Sequence, residues 1–146
     1  MTTDRKATGN AGEAAAVAFL ERSGYRIVDT NVHLGARRDG LPGELDIVAW
    51  ENETLCFVEV KTRNQTAATA GETPAEAVTP AKQRQIASLA LAYAARHGFL
   101  SGAVGAEETA LRFDVVAVRR YTARGREVCR CELIRGAFYA PEGLGG

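Results

Sequence analysis

Two apolar segments joined by a short polar turn constrain the fold of this chain more than any other feature. Residues 44–50 and 55–62 are predicted to be strands, and the polar residues between them, 51–54, predict a hairpin. Both strands carry apolar side chains on both faces, a pattern typical of strands that helices cover on either side. The hairpin therefore predicts an α/β fold with the sheet as its middle layer.

The remaining sequence pattern places helices and further strands around this hairpin. A helix is predicted from about Asn10 to Ser23. A second helix begins at Thr79-Pro80, with Thr79 as its N-cap, and ends near His97. Further strands are predicted over 25–32, 112–118 and 128–135. The order is α-β-β-β-α-β-β, which predicts a mixed central β-sheet flanked by helices.

Length and composition predict one domain. A chain of 146 residues with 46% hydrophobic residues can bury a core. We expect a single domain over 10–138, a flexible N-terminus at 1–9 and a flexible tail at 139–146. Residues 35–43 and 63–78 are predicted to be loops. Because no apolar run could span a bilayer and no signal-peptide pattern opens the chain, we expect a cytoplasmic protein without a membrane partner.

Charge and cysteine content exclude several classes of protein. The formal net charge is zero, which argues against a polycation that coats nucleic acid indiscriminately. Basic residues nevertheless cluster at 37–38, 82–84, 119–120 and 124–126, so a local basic face is left open. Three cysteines and two histidines do not favour a disulfide framework or a structural zinc site.

The predicted hairpin also brings charged residues together. With a two-residue or four-residue connection, opposed residues have numbers that add up to 105, so Asp46 lies opposite Glu59 and Glu44 lies opposite Lys61. An odd connection would place Asp46 and Glu59 on opposite faces. Two adjacent carboxylates repel each other unless a cation lies between them or one is protonated. The cluster favours a site for Mg²⁺ or Mn²⁺ and, equally, a buried ion-pair network.

Two further acidic residues need partners. Glu13, Val17 and Leu20 lie at helical spacing, so Glu13 projects from the stripe that faces the core and could reach the carboxylate cluster. A favourable interaction with the helix dipole is the alternative role. Asp114 interrupts an apolar strand, and a buried, hydrogen-bonded structural role is favoured over a place in the site.

Together these residues resemble the PD-(D/E)xK nuclease superfamily. The resemblance rests on Glu13 in an N-terminal helix, on Gly43-Glu44-Leu45-Asp46, and on the run from Phe57 to Arg63, which reads Phe-Val-Glu-Val-Lys-Thr-Arg. The chain most resembles a small bacterial family of uncharacterised, endonuclease-like proteins related to archaeal Holliday-junction resolvases. The resemblance covers roughly residues 8–120.

This resemblance implies a restriction-endonuclease-like core and a role for each site residue. Asp46, Glu59 and the backbone carbonyl of Val60 would bind Mg²⁺ or Mn²⁺, Glu13 would reach the metal directly or through water, and Lys61 would be the catalytic lysine. The residues that it implies for DNA contact are Arg63, Lys82, Gln83 and Arg84. Because resolvase-like relatives are typically dimers, the resemblance also suggests a homodimer.

The expected function is therefore that of a metal-dependent endonuclease that hydrolyses DNA phosphodiester bonds, with branched or single-stranded DNA as candidate substrates. A non-catalytic nucleic-acid-binding module on the same fold is the first alternative. A structural protein, in which the acidic cluster is only an ion-pair network, is the second. A nuclease fold does not by itself establish nuclease activity.

Overall fold

A computed structural model gives the fold, and it describes residues 2–34, 42–64, 78–100 and 108–140. The two predicted loops, 35–43 and 63–78, lie mostly outside these residues, as does most of the predicted tail. Within the described ranges, two helices and five strands follow in the order α-β-β-β-α-β-β, as the sequence predicted. Neither helix combines the length and the apolar character that crossing a membrane requires.

The elements agree with the predicted ones in type and differ in length. The helices are α1 (Thr2–Arg22) and α2 (Pro80–Arg96), and the strands are β1 (Arg26–His33), β2 (Glu44–Glu51), β3 (Thr54–Asn64), β4 (Ala110–Ala123) and β5 (Arg126–Phe138). Helix α1 begins at Thr2, before the predicted Asn10. The prediction missed its first turns because they lack the apolar stripe on which it depended. The N-cap of α2 is confirmed, since the Thr79 hydroxyl accepts a hydrogen bond from the Lys82 N–H at 3.2 Å.

One five-stranded mixed sheet forms the middle layer, with the strand order β1-β2-β3-β4-β5. Strands β3 and β4 are parallel and all other neighbours are antiparallel. A parallel pair needs a long crossover, and α2 lies in the connection between these two strands.

The two helices cover opposite faces of this sheet. On one face, which we call the α2 face, Leu89 and Tyr93 of α2 pack against Phe57 and Val48 of the hairpin. On the other, the α1 face, Leu20 of α1 packs in a second cluster whose strand residues include Ile47, Ala49 and Val58. The two hairpin strands are therefore buried on both sides, as their apolar pattern predicted.

The register of the β2–β3 hairpin confirms the arithmetic from the sequence. Glu51 pairs with Thr54, and the ladder continues to Ile47 with Val58, so that paired residue numbers add up to 105. The connection contains two residues, and Asn52 adopts a positive φ of 54° in it. The even connection places the next residues beyond the ladder, Asp46 and Glu59, on neighbouring positions.

Asp114 has the structural role that the sequence favoured. Its side chain is fully buried, and Arg112 donates to both carboxylate oxygens at 2.8 and 2.9 Å. The Tyr25 hydroxyl donates to the same carboxylate at 2.7 Å, and the Gly136 N–H donates at 2.9 Å. Arg112 also donates to Glu51 at 2.6 Å. This buried network links β2, β4, β5 and the residue before β1 near the hairpin turn.

Close packing places α1 directly on the sheet. A Cβ atom added to Gly12 would overlap the Thr62 side chain, including its Cβ atom, which cannot rotate away. The absence of a side chain at Gly12 therefore allows α1 to approach β3 closely. The same approach holds the next residue, Glu13, against the end of the hairpin that carries Asp46.

We expect Asp114→Asn to destabilise the protein by about 3 kcal/mol, because it removes the negative charge from a buried pair. Urea unfolding measures this change. Glu127→Gln is the matched control, since Glu127 pairs with Arg120 on the surface and its side chain is 70% exposed. The control should cost less than about 1 kcal/mol. Equal effects of the two substitutions would contradict the structural role of Asp114.

We expect Gly12→Ala to destabilise the protein by about 1–3 kcal/mol through overpacking. At an unobstructed helical site the same change stabilises by about 1 kcal/mol. Thermal unfolding of Gly12→Ala, Thr62→Ala and the double variant tests this, because Thr62→Ala removes part of the obstruction and should recover part of the loss. A Gly12→Ala protein at least as stable as the wild type would show that the helix does not approach the strand this closely.

Candidate functional site

Asp46 lies where the two hairpin strands separate. The paired register extends to Ile47 and Val58. One residue further on, the Asp46 carboxylate accepts a hydrogen bond from the Val60 N–H at 2.9 Å. The side chain thus replaces a backbone acceptor, which satisfies the N–H group and orients the carboxylate. The hairpin register therefore determines where this carboxylate lies.

Glu59 is buried beside Asp46. The residue is 6% exposed, and a side-chain hydrogen bond joins the two acidic groups. Burial first, and then the negative charge of Asp46, raise the pKa of Glu59 to about 8, although the ammonium groups of Lys82 and Lys61 act in the opposite direction. Near neutral pH, the pair therefore binds a proton in the absence of a compensating cation.

Glu13, Glu44 and Asp46 form a second acidic grouping that shares Asp46 with the first. One carboxylate oxygen from each residue lies within 4.8 Å of the others, and all three residues are half-buried. Burial raises the pKa of Glu13, as do the charges of Asp46 and Glu44, while a hydrogen bond with Asn31 lowers it. Like charges at this separation repel, so the grouping favours a bound cation or proton.

Sequence reasoning placed Glu13 in this cluster but gave Glu44 no site role. Glu44 was expected opposite Lys61, and its spacing of two residues from Asp46 was the signal that could have identified it. His33 reaches Glu44 from the neighbouring strand, with 2.9 Å between His33 Nε2 and a Glu44 carboxylate oxygen. The pairing of β1 with β2, which brings His33 there, was not predicted.

Asn31 is a further site residue that the sequence did not indicate. It lies in β1 with a φ of 52°, a left-handed conformation that asparagine tolerates better than most residues. Its side chain bonds Glu13, and Asn31, Glu13, Thr30 and Asp46 are among the residues that line a pocket of about 210 Å³. Asn31 therefore orients Glu13 toward the shared carboxylate.

Lys61 lies on the α2 face of the sheet, next to the acidic pair. Thr62 faces α1, where it meets Gly12, so Lys61 and Arg63 point to the other side. The positive charge of Lys61 lowers the pKa of Glu59, as expected for a neighbour on the same face. Arg63 is exposed, two residues further along β3.

The start of α2 contributes the remaining predicted residues. Lys82 Nζ lies 4.0 Å from a Glu59 carboxylate oxygen, so this lysine reaches the site. Lys82, Arg84 and Gln85 are among the residues that line a groove of about 630 Å³. The Gln83 side chain instead donates to the Val78 carbonyl oxygen at 3.0 Å. The structure therefore brings Lys82 to the acidic pair and Arg84 to the adjoining groove, while Gln83 bonds locally.

The donor set determines which metal would fit this site. Glu13, Glu44 and Asp46 offer carboxylate oxygens within 4.8 Å of one another, Glu59 lies against Asp46, and the resemblance adds the backbone carbonyl of Val60. Oxygen ligands of this kind suit hard divalent cations such as Mg²⁺ and Mn²⁺ rather than zinc or copper. The residues that lie here therefore fit the cation that the resemblance implied.

Comparison with known proteins identifies the family. Residues 12–118 match the family described as uncharacterised protein family UPF0102, and this range includes every residue of the acidic cluster. A UPF0102 protein of Symbiobacterium thermophilum is 46% identical over 132 residues, which cover 90% of this chain and 96% of the relative. A UPF0102 protein of Geobacter sulfurreducens is 44% identical, covering 91% of this chain and 89% of the relative. One from Moorella thermoacetica is 41% identical, covering 94% of this chain and the full length of the relative. The chain therefore belongs to the uncharacterised protein family UPF0102.

Proposed function

We propose that this protein is a metal-dependent endonuclease of the PD-(D/E)xK type that hydrolyses DNA phosphodiester bonds. The observation that carries the proposal is the position of Asp46, which is shared between Glu59 on one side and Glu13 with Glu44 on the other. Lys61 lies on the same face as Glu59. The order of helices and strands is compatible with the restriction-endonuclease-like core that we propose for this fold.

The contrast with the Asp114 network supports a functional role. Asp114 is fully buried, and every hydrogen bond between it and Arg112, Tyr25 or Gly136 is 2.9 Å or shorter. Glu59 is nearly as buried. The Lys82 ammonium lies 4.0 Å from the Glu59 carboxylate, and the group that hydrogen-bonds the Glu59 side chain is another acid, Asp46. A carboxylate pair left in this state is destabilising unless a cation or a proton binds it. An ion-pair network with a purely structural role explains Asp114 well and Glu59 poorly.

Asp46, Glu59, Glu13 and the Val60 carbonyl would bind Mg²⁺ or Mn²⁺, with Glu44 as an additional ligand that only the structure indicates. Such a cation, when bound, neutralises charge on a phosphodiester and lowers the pKa of a coordinated water.

The protein's own groups account for positioning and charge stabilisation. The Val60 N–H holds Asp46, and Asn31 holds Glu13, so two of the acidic groups are oriented before any ligand binds. The Lys61 ammonium lies on the site face of β3, where it can stabilise the charge that develops on phosphate oxygens. The groove beside Arg84 adjoins Lys82 and is open to a phosphate backbone.

Substitution of the site residues tests the proposal. We expect Asp46→Ala, Glu59→Ala and Lys61→Ala each to reduce DNA cleavage by about 100-fold or more, with DNA binding largely retained. Glu53→Gln is the matched control, because it removes an exposed carboxylate at the turn of the same hairpin. Calorimetric titration with Mn²⁺ and with Mg²⁺ should show binding to the wild type and none to the Asp46→Ala/Glu59→Ala protein.

Two outcomes would contradict the nuclease proposal. Cleavage at the wild-type rate in all three single variants would remove these residues from the reaction. DNA binding with a steep salt dependence, but without cleavage of duplex, branched or single-stranded DNA under either metal, would instead support a non-catalytic nucleic-acid-binding module.

The raised pKa of Glu59 predicts how stability depends on pH without metal. The folded protein retains a proton that the unfolded chain releases above the ordinary glutamate pKa of 4.5, so its stability falls as pH rises toward about 8. The slope attributable to Glu59 is at most about 1.4 kcal/mol per pH unit. Urea unfolding of wild type and Glu59→Gln in EDTA should therefore show the wild type losing stability relative to the variant across this interval.

Metal should reverse this trend, because a divalent cation competes with the proton for the same carboxylates. Addition of Mn²⁺ is expected to stabilise the wild type most at the alkaline end of the interval and to leave Glu59→Gln nearly unchanged. Parallel pH profiles of the two proteins, with and without metal, would show that Glu59 neither holds the proton nor contributes to a metal site.

A further inference from the structure

The hydrogen bonds that join β2 to β3 end before the first residues of β2. In the described chain, the β2–β3 ladder ends with Ile47 beside Val58, whereas β2 itself begins at Glu44. The ladder with β1 continues further, to His33 beside Glu44. Strand β1 therefore holds this end of β2 on one side, while on the other side the position of Glu44 depends on contacts made by side chains.

One such contact comes from Gln85 of α2. Its Nε2 atom donates a hydrogen bond to the Pro42 carbonyl oxygen at 2.9 Å, and Pro42 lies two residues before Glu44. Because proline has no N–H group, the carbonyl is the only backbone group through which Pro42 can be held by a hydrogen bond. Gln85 therefore connects the helix directly to the chain that leads into β2.

Gly43 allows the Gln85 amide to come this close. The φ angle of Gly43 is 94°, in the region that favours glycine. A Cβ atom added to it would lie 2.5 Å from Gln85 Nε2 and 3.0 Å from Gln85 Cδ. A side chain at position 43 would push the amide away from the Pro42 carbonyl. The hydrogen bond and the close approach thus place the Gln85 amide against both residues that precede Glu44.

Buried contacts between α2 and β2 set the distance at which this hydrogen bond forms. Leu45 lies in the same apolar cluster as Ile86 and Leu89, and each of the three is at most 2% exposed. Ile86 follows Gln85 directly, so close packing of Ile86 restricts where the Gln85 side chain begins. The apolar contact fixes the spacing of helix and strand, and the hydrogen bond adds direction.

The same side of α2 reaches the acidic cluster at a second point. Lys82 lies three residues before Gln85, which places the two side chains next to each other on the helix surface. The Lys82 Nζ atom lies 4.0 Å from a Glu59 carboxylate oxygen. Lys82, Gln85 and Pro42 are among the residues that line the groove of about 630 Å³. Helix α2 thus contacts Glu59 through Lys82 and the chain before Glu44 through Gln85.

We propose that Gln85 is a positioning residue of the metal site: its hydrogen bond to the Pro42 carbonyl holds the start of β2 and thereby directs Glu44 into the acidic cluster. The inference rests on the proposed metal-dependent function and deepens it, because it names a residue outside the cluster that helps to set the affinity for the cation. Ligands held in place before binding lose less freedom when the cation arrives. Groups that orient a metal ligand typically contribute a factor of about 10–100 in metal affinity.

Calorimetric titration of Mn²⁺ into Gln85→Met, at constant pH and without DNA, tests this role. Methionine is similar to glutamine in length and cannot donate the hydrogen bond. We expect Mn²⁺ to bind about 10-fold more weakly than to the wild type. Ser23→Ala is the matched control, because it also removes a hydrogen bond from a side chain to a backbone carbonyl, that of Phe19, at the end of α1. The control should retain the wild-type affinity, and both variants should unfold within about 4 °C of the wild type.

A double-mutant cycle shows whether the effect passes through Glu44. We expect Glu44→Gln alone to weaken Mn²⁺ binding. In the Glu44→Gln protein, Gln85→Met should change the remaining affinity by less than about two-fold, because the carboxylate that Gln85 positions is no longer there. A residue that only stabilised the fold would give the same fold-change in both backgrounds.

The outcomes separate this inference from the proposed function. Wild-type Mn²⁺ affinity in Gln85→Met, or an equal loss in Ser23→Ala, would overturn the positioning role and leave the proposed nuclease intact. An equal loss from Gln85→Met with and without the Glu44 carboxylate would do the same. Absence of Mn²⁺ binding to the wild-type protein, both alone and with a short DNA duplex, would overturn the proposed metal-dependent function and this inference with it.

Discussion

The hydrogen bond from the Val60 N–H to the Asp46 carboxylate is the interaction on which the rest of the site depends. It forms where the β2–β3 ladder ends, one residue beyond Ile47 and Val58. A shift of one residue in the hairpin would turn Asp46 away from Glu59 and the site would be lost. The two-residue turn at the other end of the hairpin is thus part of the site, because its even length sets the register.

Helix α1 completes the cluster only because the chain has no side chain at Gly12. Contact between the helix backbone and Thr62 sets the distance at which Glu13 approaches Asp46, and Asn31 then holds its carboxylate. A glycine inside a helix weakens it by about 1 kcal/mol relative to alanine. Gly12 thus lowers the stability of α1 locally, at the position where closer packing brings a third acidic group, Glu13, to the site.

The sequence predicted the order of elements, the hairpin register and the positions of Asp46, Glu59 and Glu13, because all of these follow from local spacing. Asn31 and His33 could not be predicted, since their places depend on β1 pairing with β2, which no local pattern specifies. The polar start of α1, residues 119–123 of β4 and residues 126–127 of β5 were missed for a related reason. Backbone hydrogen bonds sustain them without an apolar stripe, so hydrophobic periodicity does not reveal their extent.

The two ends of the sheet differ in how closely a positive charge approaches their acidic side chains. Near the hairpin turn, Asp114 and Glu51 share Arg112, and Arg135 donates to Glu51 at 2.7 Å, so each of these two acids is matched by a guanidinium. At the other end, Asp46 and Glu59 lie against each other, with their nearest described ammonium 4.0 Å away. The matched network stabilises the end at which it joins β2, β4, β5 and the residue before β1, whereas the acidic pair at the other end retains a proton near neutral pH. An arginine beside Asp46 and Glu59 would match their charge in the same way, but it would also compete with the cation that we propose for this site.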